Sequence, residues 1–552
     1  MISLKNATLL YKLEGHTQVA SLQNGNDDFD VDFVVKEKGK MTSVKVVLKP
    51  KKTLTLMSAR LSYNYKFDKK DRLFVNGYQT WTDTREFGIN EKLNNIYRLP
   101  KFLVKMYAFD KYGDIFFKKY RKHILHGYTY GYVKGHDDLV LGSYNDDNSY
   151  FIYNFDAKHK QIVLESDIEG LTLDKKFTLF DFVIINDNVE KGLQTYLSKF
   201  TPKTKELLTG YSSWYNLYQN ISEQSINECL ANFDKEHFSL FQIDDGYESK
   251  VGDWLTVDPV KFPNGLEPIV KEIKNKDLLA GLWLAPFAAQ KDSELVKNHP
   301  DWIVKDAKGE MIFCGSNWGG FYALDVENKE VQKYVKSCFA KYNEMGFDLY
   351  KLDFLYAAAV KPITNKTRAQ LMAQVVKLIN EATEGKLILG CGVPLGSAFG
   401  KFAYCRIGPD VSLEFDDVWF MRVMHRERIS TKISIQNTIY RRHLNGTVFM
   451  NDPDVFILRD DRNKLTKKQK ESLMIMNALF GGILLSSDNV GEYDEEKLNL
   501  YNKALALREG LVIKDVISTK KDITILFKNK DGEQEIVYEI NKGEIKSWKN
   551  QK

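Results

Sequence analysis

At 552 residues the chain is too long for one ordinary domain and has room for roughly two to four. Its 43% hydrophobic and 28% charged residues are those of a soluble globular protein with material for a sizeable core. With 79 basic against 74 acidic residues the net charge is only +5, which argues against an extended nucleic-acid surface. The Lys-rich KPKK (49–52) and TKKQKE (466–471) read as solvated surface. No apolar run reaches the ~18 residues of a membrane span, and the N-terminal MISLKNATLLYKLEG has neither an apolar core nor a small-residue cleavage site. The expectation is a cytoplasmic protein without a membrane partner. The 5 cysteines are scattered with no C-x-x-C, and His123 and His126, three apart, have no third ligand nearby. Neither a disulfide framework nor a metal site is read.

In chain order, residues 1–200 carry β-rich runs: VDFVV (31–35), SVKVVL (43–48), YFIYNF (150–155), KQIVLE (160–165) and KFTLFDFVII (176–185). Turn clusters such as NGNDD (24–28) and YNDDN (144–148) separate them, and the pattern predicts an N-terminal β-sandwich, with one helix near 189–199. Over 201–504 the texture changes to short apolar runs alternating with amphipathic helices. In 366–382, for example, Leu371, Met372, Val375, Val376, Ile379 and Ala382 fall on one helical stripe. Eight strand candidates follow one another: 207–214, 238–245, 278–287, 347–354, 386–392, 403–410, 447–454 and 482–488. Nearly all begin apolar and end in Asp, Asn, Ser, Trp or Cys. That polarity suits a central (β/α)8 TIM barrel, whose site is assembled from the C-terminal ends of its strands. An open doubly wound sheet would want a Gly-rich phosphate turn after its first strand, and no G-x-G-x-x-G occurs. The long segment 288–327, with Trp302, Asn317, Trp318 and Tyr322, is a candidate substrate wall. From 505 to 552 the strand-like VIKDVIS, DITILFK and EIVYEI predict a small C-terminal β domain.

The chemistry concentrates at strand ends. In LYKLDFLYAA (349–358) Lys351 and Asp353 are two apart in an apolar strand, so they share a face. A lysine beside a carboxylate keeps it ionised, as a nucleophile requires, although a structural ion pair at the rim would look the same. In CRIGPDV (405–411) Gly408-Pro409 breaks the strand and presents Asp410, with Arg406 four residues earlier. A general acid there would need burial or a negative neighbour, which Asp353 could supply; an ordinary Pro-Asp turn is the alternative. QIDDGY (242–247) sets Asp244 and Asp245 at another strand end, as a turn, a metal site short of a third ligand, or a clamp for vicinal hydroxyls. Trp283 in GLWLAPF and Trp81 in NGYQTW are each either core or aromatic wall. Together, paired carboxylates with cations and Trp at one barrel mouth are the machinery of glycosidic cleavage.

Nine blocks in order resemble the α-galactosidases (melibiases) of glycoside hydrolase family 36: GYSSWYNLY (210–218), FQIDDGYESKVGDWL (241–255), GLWLAPF (281–287), HPDWIVKDAKGE (299–310), YALDV (322–326), YKLDFLYAAAV (350–360), LGCGVPLG (389–396), RIGPD (406–410) and FMNDPDVFILR (449–459). NGYQTW (76–81) extends the likeness into the N-terminal domain. The resemblance implies a multidomain chain, with the β-sandwich, TIM barrel and C-terminal β domain read above. It implies a retaining, exo-acting double displacement on small-molecule α-galactosides, with no metal or organic cofactor. By the matching positions, Asp353 would be the nucleophile and Asp410 the acid/base. Asp244 and Asp245 would bind the galactose 4- and 6-hydroxyls, Lys351 the hydroxyls near O3 and O4, and Arg406 and Cys391 would line the O2 side. Trp283 would pack on the sugar, Trp81 would reach over it from the N-terminal domain, and Trp214 would be a further wall. The chain departs from the family in Tyr211-Ser212, where Trp-Cys is usual, and in Tyr78 of NGYQTW. Glu414, Asp416 and Asp417 after RIGPD read as solvated or structural, with an aglycone site as the alternative.

Three other readings use the same residues. An α-N-acetylgalactosaminidase would need small residues around O2, a transglycosylase a good acceptor site, and a non-catalytic carbohydrate-binding protein no intact carboxylate pair. The oligomeric state stays open; a monomer fits this length, since longer relatives carry extra segments.

Overall fold

The computed structural model describes residues 3–94, 100–113, 124–360, 364–424 and 426–550. The first third of the chain folds into two antiparallel sheets of seven strands each. One sheet runs His16–Ser21, Ser3–Leu13, Leu54–Asn64, Gln161–Ser166, Phe151–Asp156, Leu125–Tyr128, with Thr172–Leu173 beside Leu54–Asn64. The other runs Phe29–Lys38, Met41–Pro50, Phe177–Ile185, Leu139–Ser143, Tyr130–Lys134, Arg72–Val75, Arg85–Gly88. Period-2 alternation drives the packing: Ile162 and Leu164 are buried in Gln161–Ser166 while Gln161, Val163 and Glu165 between them are not. The inner faces meet in a core that includes Leu9, Val46, Leu61, Leu164 and Phe182. His126 is buried in Leu125–Tyr128, while His123 lies outside the described residues. The expected helix is Val189–Leu197, capped by the Asn188 side chain, which accepts the Glu190 N–H.

The centre is a parallel barrel. Its strands are β1 (Leu208–Ser212), β2 (Leu240–Ile243), β3 (Leu279–Leu284), β4 (Leu349–Leu352), β5 (Leu387–Gly390), β6 (Tyr404–Arg406), β7 (Met450–Asp452, resumed as Val455–Phe456) and β8 (Ile483–Ser486). They pair in that order and β8 returns to β1, so the ring closes. The sheet's 9 hydrogen-bonded pieces make eight strands because Pro453 and Asp454 interrupt β7. Each strand falls within one of the eight apolar runs read from the sequence, except that the second piece of β7, Val455–Phe456, lies just beyond its run. The covering helices are α1 (Glu223–Leu230), α2 (Glu267–Asn275), α3 (Lys329–Met345), α4 (Arg368–Ala382), α5 (Thr431–Tyr440), α6 (Lys467–Phe480) and α7 (Glu495–Leu507). In α4 all six residues of the predicted stripe are buried, and Thr367 and Gln370 form a capping box at its start. A four-stranded antiparallel sheet over 512–550 packs on α6 and α7, with the Lys503 ammonium 3.9 Å from the Trp548 ring centre.

Between β5 and β6 the described residues hold only a short turn, Leu395–Ala398, in place of a covering helix. The N-terminal sandwich docks there. Its loop 76–84 donates from Thr80 N–H to Val393 O (3.1 Å), and Gly392 N–H donates to Thr80 Oγ1 (3.0 Å). From α5, Asn437 accepts the Thr84 N–H (2.8 Å) and donates to Thr82 O (3.0 Å). Arg441, fully buried, donates to Thr80 O, Ile407 O, Gln79 O and Asn76 Oδ1 at 2.7–3.2 Å. Burial pushes its guanidinium down to about 10; its acceptors there are neutral oxygens. Loss of such a donor would leave several carbonyls buried and unmatched, so the loop carrying Trp81 is held by polar necessity as well as packing.

Candidate active site

A cavity of about 310 Å3 opens at the C-terminal ends of the barrel strands. Trp214 after β1, Asp244 and Asp245 after β2, Trp283 of β3, Lys351 and Asp353 of and after β4, and Asp410 after β6 all line it, together with Trp81 from the sandwich. Residues from five strand ends and a second domain therefore converge on one space.

Asp353 continues β4 by one residue, its N–H donating to Leu284 O (2.8 Å). Its carboxylate accepts from Trp283 Nε1–H (3.2 Å) and from the Phe354 N–H (2.8 Å), both neutral donors. Phe354 sits in the left-handed region at φ 52°, a conformation that turns the chain sharply after the carboxylate. The Lys351 ammonium does not go to Asp353. It donates to Asp244 Oδ2 at 2.9 Å, in a buried pair. Burial disfavours the ammonium, but the Asp244 carboxylate outweighs it and pushes Lys351 above its ordinary range.

Asp244 Oδ2 also accepts from Ser212 Oγ–H (3.1 Å) and Gln242 Nε2–H (2.9 Å), and Asp244 Oδ1 accepts the Asp245 N–H (3.0 Å). Asp245 Oδ2 accepts from Gln219 Nε2–H (3.0 Å) and Trp318 Nε1–H (2.9 Å). Behind it, Glu248 is buried and shares a hydrogen bond with Asp245. Burial raises both carboxyls, and the neighbouring Asp245 charge adds to the rise at Glu248.

Asp410 has a different setting. Its Oδ1 accepts from Arg406 Nη1–H at 2.8 Å, and 37% of its side chain stays accessible. The same guanidinium donates from Nε to Asp452 Oδ2 (2.9 Å) and pairs through Nη2 with Asp454 Oδ1 (2.9 Å). Burial of the site raises Asp410; Arg406 opposes the rise, and Asp353 adds to it. Asp454, at φ 75°, is fixed by Tyr215 Oη–H (2.6 Å) and the Val411 N–H (2.8 Å), both to Oδ2.

Aromatic rings form the walls. Trp81 donates from Nε1 to Cys391 Sγ at 3.3 Å and meets Phe354 edge-on at 5.4 Å. Gly392, at φ 57°, permits this approach, since a Cβ there would lie 2.9 Å from the Trp81 ring. Trp214 meets Tyr218 edge-on at 5.2 Å. Segment 288–327 folds as a three-stranded sheet (Ala288–Gln290, Phe321–Ala323, Phe313–Gly315) whose tip carries Asn317 and Trp318 into the cavity. Trp302 from the same segment stacks instead on His299 at 4.0 Å.

The structure thus brings Asp353, Asp410, Asp244, Asp245, Lys351, Trp283, Trp81 and Trp214 to one cavity. Cys391 and Arg406, expected to line the O2 side, lie a layer behind the wall: Cys391 beneath Trp81, and Arg406, 2% exposed, enclosed by its carboxylates. Tyr211, one departure from the family pattern, packs away from the cavity on Phe233 and Phe241, while Ser212 supports Asp244. Tyr78, the other departure, is buried on Tyr128 and Tyr150. Asp416 binds Arg428 (3.1 Å) and Ser430 (2.8 Å), a structural role. Reasoning from the sequence missed Gln219, Tyr112, Tyr356 and Glu427, which also line the cavity, and Glu248, Asp452 and Asp454 behind it. For the last two the signal was present in FMNDPDVFILR, a matched block given no role.

Residues 188–375 match the family model described as Melibiase. The chain is 32% identical over 156 residues to α-galactosidase C of Emericella nidulans, an alignment covering 25% of this chain and 20% of that protein. It is 31% identical over 110 residues to an α-galactosidase of Escherichia coli, covering 19% and 15%. These matches therefore span a fifth or less of the relatives' own length. Over nearly the whole chain the fold is that of α-galactosidase TtGalA of Thermus thermophilus, solved with p-nitrophenyl α-D-galactopyranoside: TM-score 0.71, 22% identity, covering 94% of this chain and 97% of that one. The family 36 α-galactosidase AgaA of Geobacillus stearothermophilus gives a TM-score of 0.63 at 13% identity, covering 97% and 78%. The resemblance to the α-galactosidases of glycoside hydrolase family 36, read first from nine short motifs, is borne out, with residues 188–375 carrying the match to the melibiase model.

Proposed function

We propose that the chain is a retaining exo-α-galactosidase that removes terminal α-linked galactose from small galactosides by double displacement. The observation that carries this reading is the pair of carboxylates in one cavity with opposed environments. Asp353 is held by neutral donors beside the barrel axis, and Asp410 is raised by burial with Asp353 adding to the rise. In this reading Asp353 attacks the anomeric carbon while Asp410 protonates the departing oxygen, then draws a proton from the water that cleaves the glycosyl-enzyme. Asp244 and Asp245 accept from the galactose 4- and 6-hydroxyls, and Lys351 donates to those near O3 and O4. Trp283, Trp81 and Trp214 pack on the sugar and the mouth. Arg406 and Cys391 act on the O2 side through Asp410 and Trp81, the groups they touch. No step calls for a metal or organic cofactor.

The retaining assignment requires the two carboxyls to stand about 5–5.5 Å apart and the first-formed galactose to be the α-anomer, which proton NMR during turnover reads directly. The domain limits belong to the same proposal: a sandwich over 1–200, a barrel over 201–504 and a β domain over 505–552. So does a cytoplasmic site of action. Among the described residues no helix is long and apolar enough to cross a membrane.

Nitrophenol release from the α-galactoside and the α-N-acetylgalactosaminide, measured side by side, tests the activity. Strong preference for the galactoside is the expected result. Preference for the acetamido sugar would overturn the substrate assignment, and binding of galactose without cleavage of either would overturn the catalytic one.

A further inference from the structure

Arg406 raises a difficulty for the reading above. A guanidinium 2.8 Å from a carboxylate stabilises its charged form, whereas a general acid must carry its proton at working pH. Arg406 faces two further carboxylates, Asp452 and Asp454, each at 2.9 Å and each 1% exposed or less. Asp454 is built in firmly. Tyr215 and the Val411 N–H hold its Oδ2, its own N–H donates to Asp452 Oδ1 (2.9 Å), and its backbone takes an uncommon left-handed turn. Val411 directly follows Asp410, so the same carboxylate that faces Arg406 also fixes the loop carrying Asp410. Nothing in sugar binding requires Asp454, because it lies behind Arg406 and off the cavity wall.

We propose that Asp454 is a positioning residue: resting on Asp410 being the acid/base, Asp454 engages the Arg406 charge so that Asp410 can hold its proton in the free enzyme. Arg406 then fixes the place of Asp410 by a hydrogen bond without dictating its charge. The other groups facing this cluster fit the assignment. Lys351 from β4 favours the Asp410 anion, and its ammonium is engaged by Asp244. Asp353 from after β4 favours the neutral acid. Asp452 from β7 shares Arg406, Tyr215 from after β1 donates to Asp454, and Cys391 from after β5 is a thiol raised by burial and so uncharged. Glu427 lines the same cavity as Asp410. Asp454 is itself pushed up to about 6, chiefly by burial, so the two carboxyls titrate as a linked pair.

The test is the pH profile of kcat/KM for a galactoside with a poor, unactivated leaving group. Asp454→Asn removes one negative charge from Arg406, so the Asp410 anion gains and the alkaline limb moves to lower pH, by about one unit. The loss at neutral pH is largest for that substrate and small for the nitrophenyl galactoside, whose departure needs little acid. Asp454→Glu restores the limb to its wild-type position, whatever its effect on the maximal rate. A uniform loss at all pH values and for both leaving groups, with the limb unmoved, would mean a purely structural role and overturn the inference. Should Asp454→Asn fail to fold, Asp452→Asn makes the same test from the other side of the guanidinium, and an unmoved limb there is equally fatal. Asp410→Asn separates the two levels. If it keeps the wild-type alkaline limb, Asp410 is not the acid and the reading beneath this one fails. If it loses that limb while Asp454→Asn does not move it, only the inference fails.

Discussion

The ends of β4 and β6 offer two carboxylates to the same cavity by opposite means. Asp353 stands two residues from a lysine and yet takes its hydrogen bonds from an indole and a peptide N–H, because Lys351 is committed to Asp244. Asp410 stands four residues from an arginine and does bond to it, but that arginine is shared among three carboxylates. In neither case is the nearest cation in sequence given over to that one carboxylate. What decides is where the cation's other obligations lie, and that is a property of the closed barrel, which brings β2 to β4 and β7 to β6.

The comparison is tested most severely by removing each carboxylate in turn. Asp353→Asn keeps the shape and can still bond Trp283, but it lacks the nucleophile, so turnover should fall on the order of 10^4-fold with every leaving group. Retention of more than a few per cent of activity by folded protein would end the assignment of Asp353. Asp410→Asn should differ in kind. The loss is expected to be about 10^2 to 10^4-fold for unactivated galactosides and far smaller for the nitrophenyl galactoside in the first step, with the alkaline limb gone. If both variants lose activity equally on both substrates, the distinction between nucleophile and acid collapses.

Much of this site could be read from the residues, and the part that could not has a common cause. Eight apolar runs ending in polar residues located the strands, and the side-chain period of two placed Lys351 and Asp353 on one face. Period-3.6 burial likewise located α4. Partners distant in the chain were not legible, because they depend on strand order and domain docking: Lys351 with Asp244 are 107 residues apart and Trp81 with Cys391 are 310. Several sandwich strands were also missed, among them Arg72–Val75, Tyr130–Lys134 and Leu139–Ser143. They are buried nearly throughout and so lack the alternation that marks a half-exposed strand. The missing helix between β5 and β6 could not be read either, since its place is taken by a loop from the first hundred residues.

A smaller effect follows from the lysine. If Lys351 serves Asp244 and the sugar instead of Asp353, Lys351→Met should raise KM by about tenfold or more and lower kcat less. The buried Asp244 charge would lose its cation, and unfolding should become easier by about 3–5 kcal/mol, read as a drop in Tm. A fall in kcat alone, with KM unchanged, would restore the direct lysine–nucleophile pairing that the sequence suggested.

The smallest effect sharpens the sugar-binding side. Asp245 and Glu248 are neighbouring buried carboxyls, both raised, and when Glu248 is protonated it is the donor of the pair. A carboxyl raised by folding binds its proton more tightly in the native state, so this arrangement persists at low pH and is lost as the pH rises through the native value. Once the proton leaves, two facing carboxylates repel, and Asp245 is pressed against Gln219 and Trp318, the donors that aim it into the cavity. Wild-type KM should therefore climb a few-fold at alkaline pH, apart from any change in kcat. Glu248→Gln supplies an amide N–H that donates to Asp245 at every pH, so its KM should stay flat where the wild type climbs. Glu248→Ala leaves Asp245 without that donor, so its KM should be high throughout. If the Gln variant climbs like the wild type, the Glu248 proton does not govern Asp245, and the alkaline weakening must be traced to the Asp410 side of the cavity.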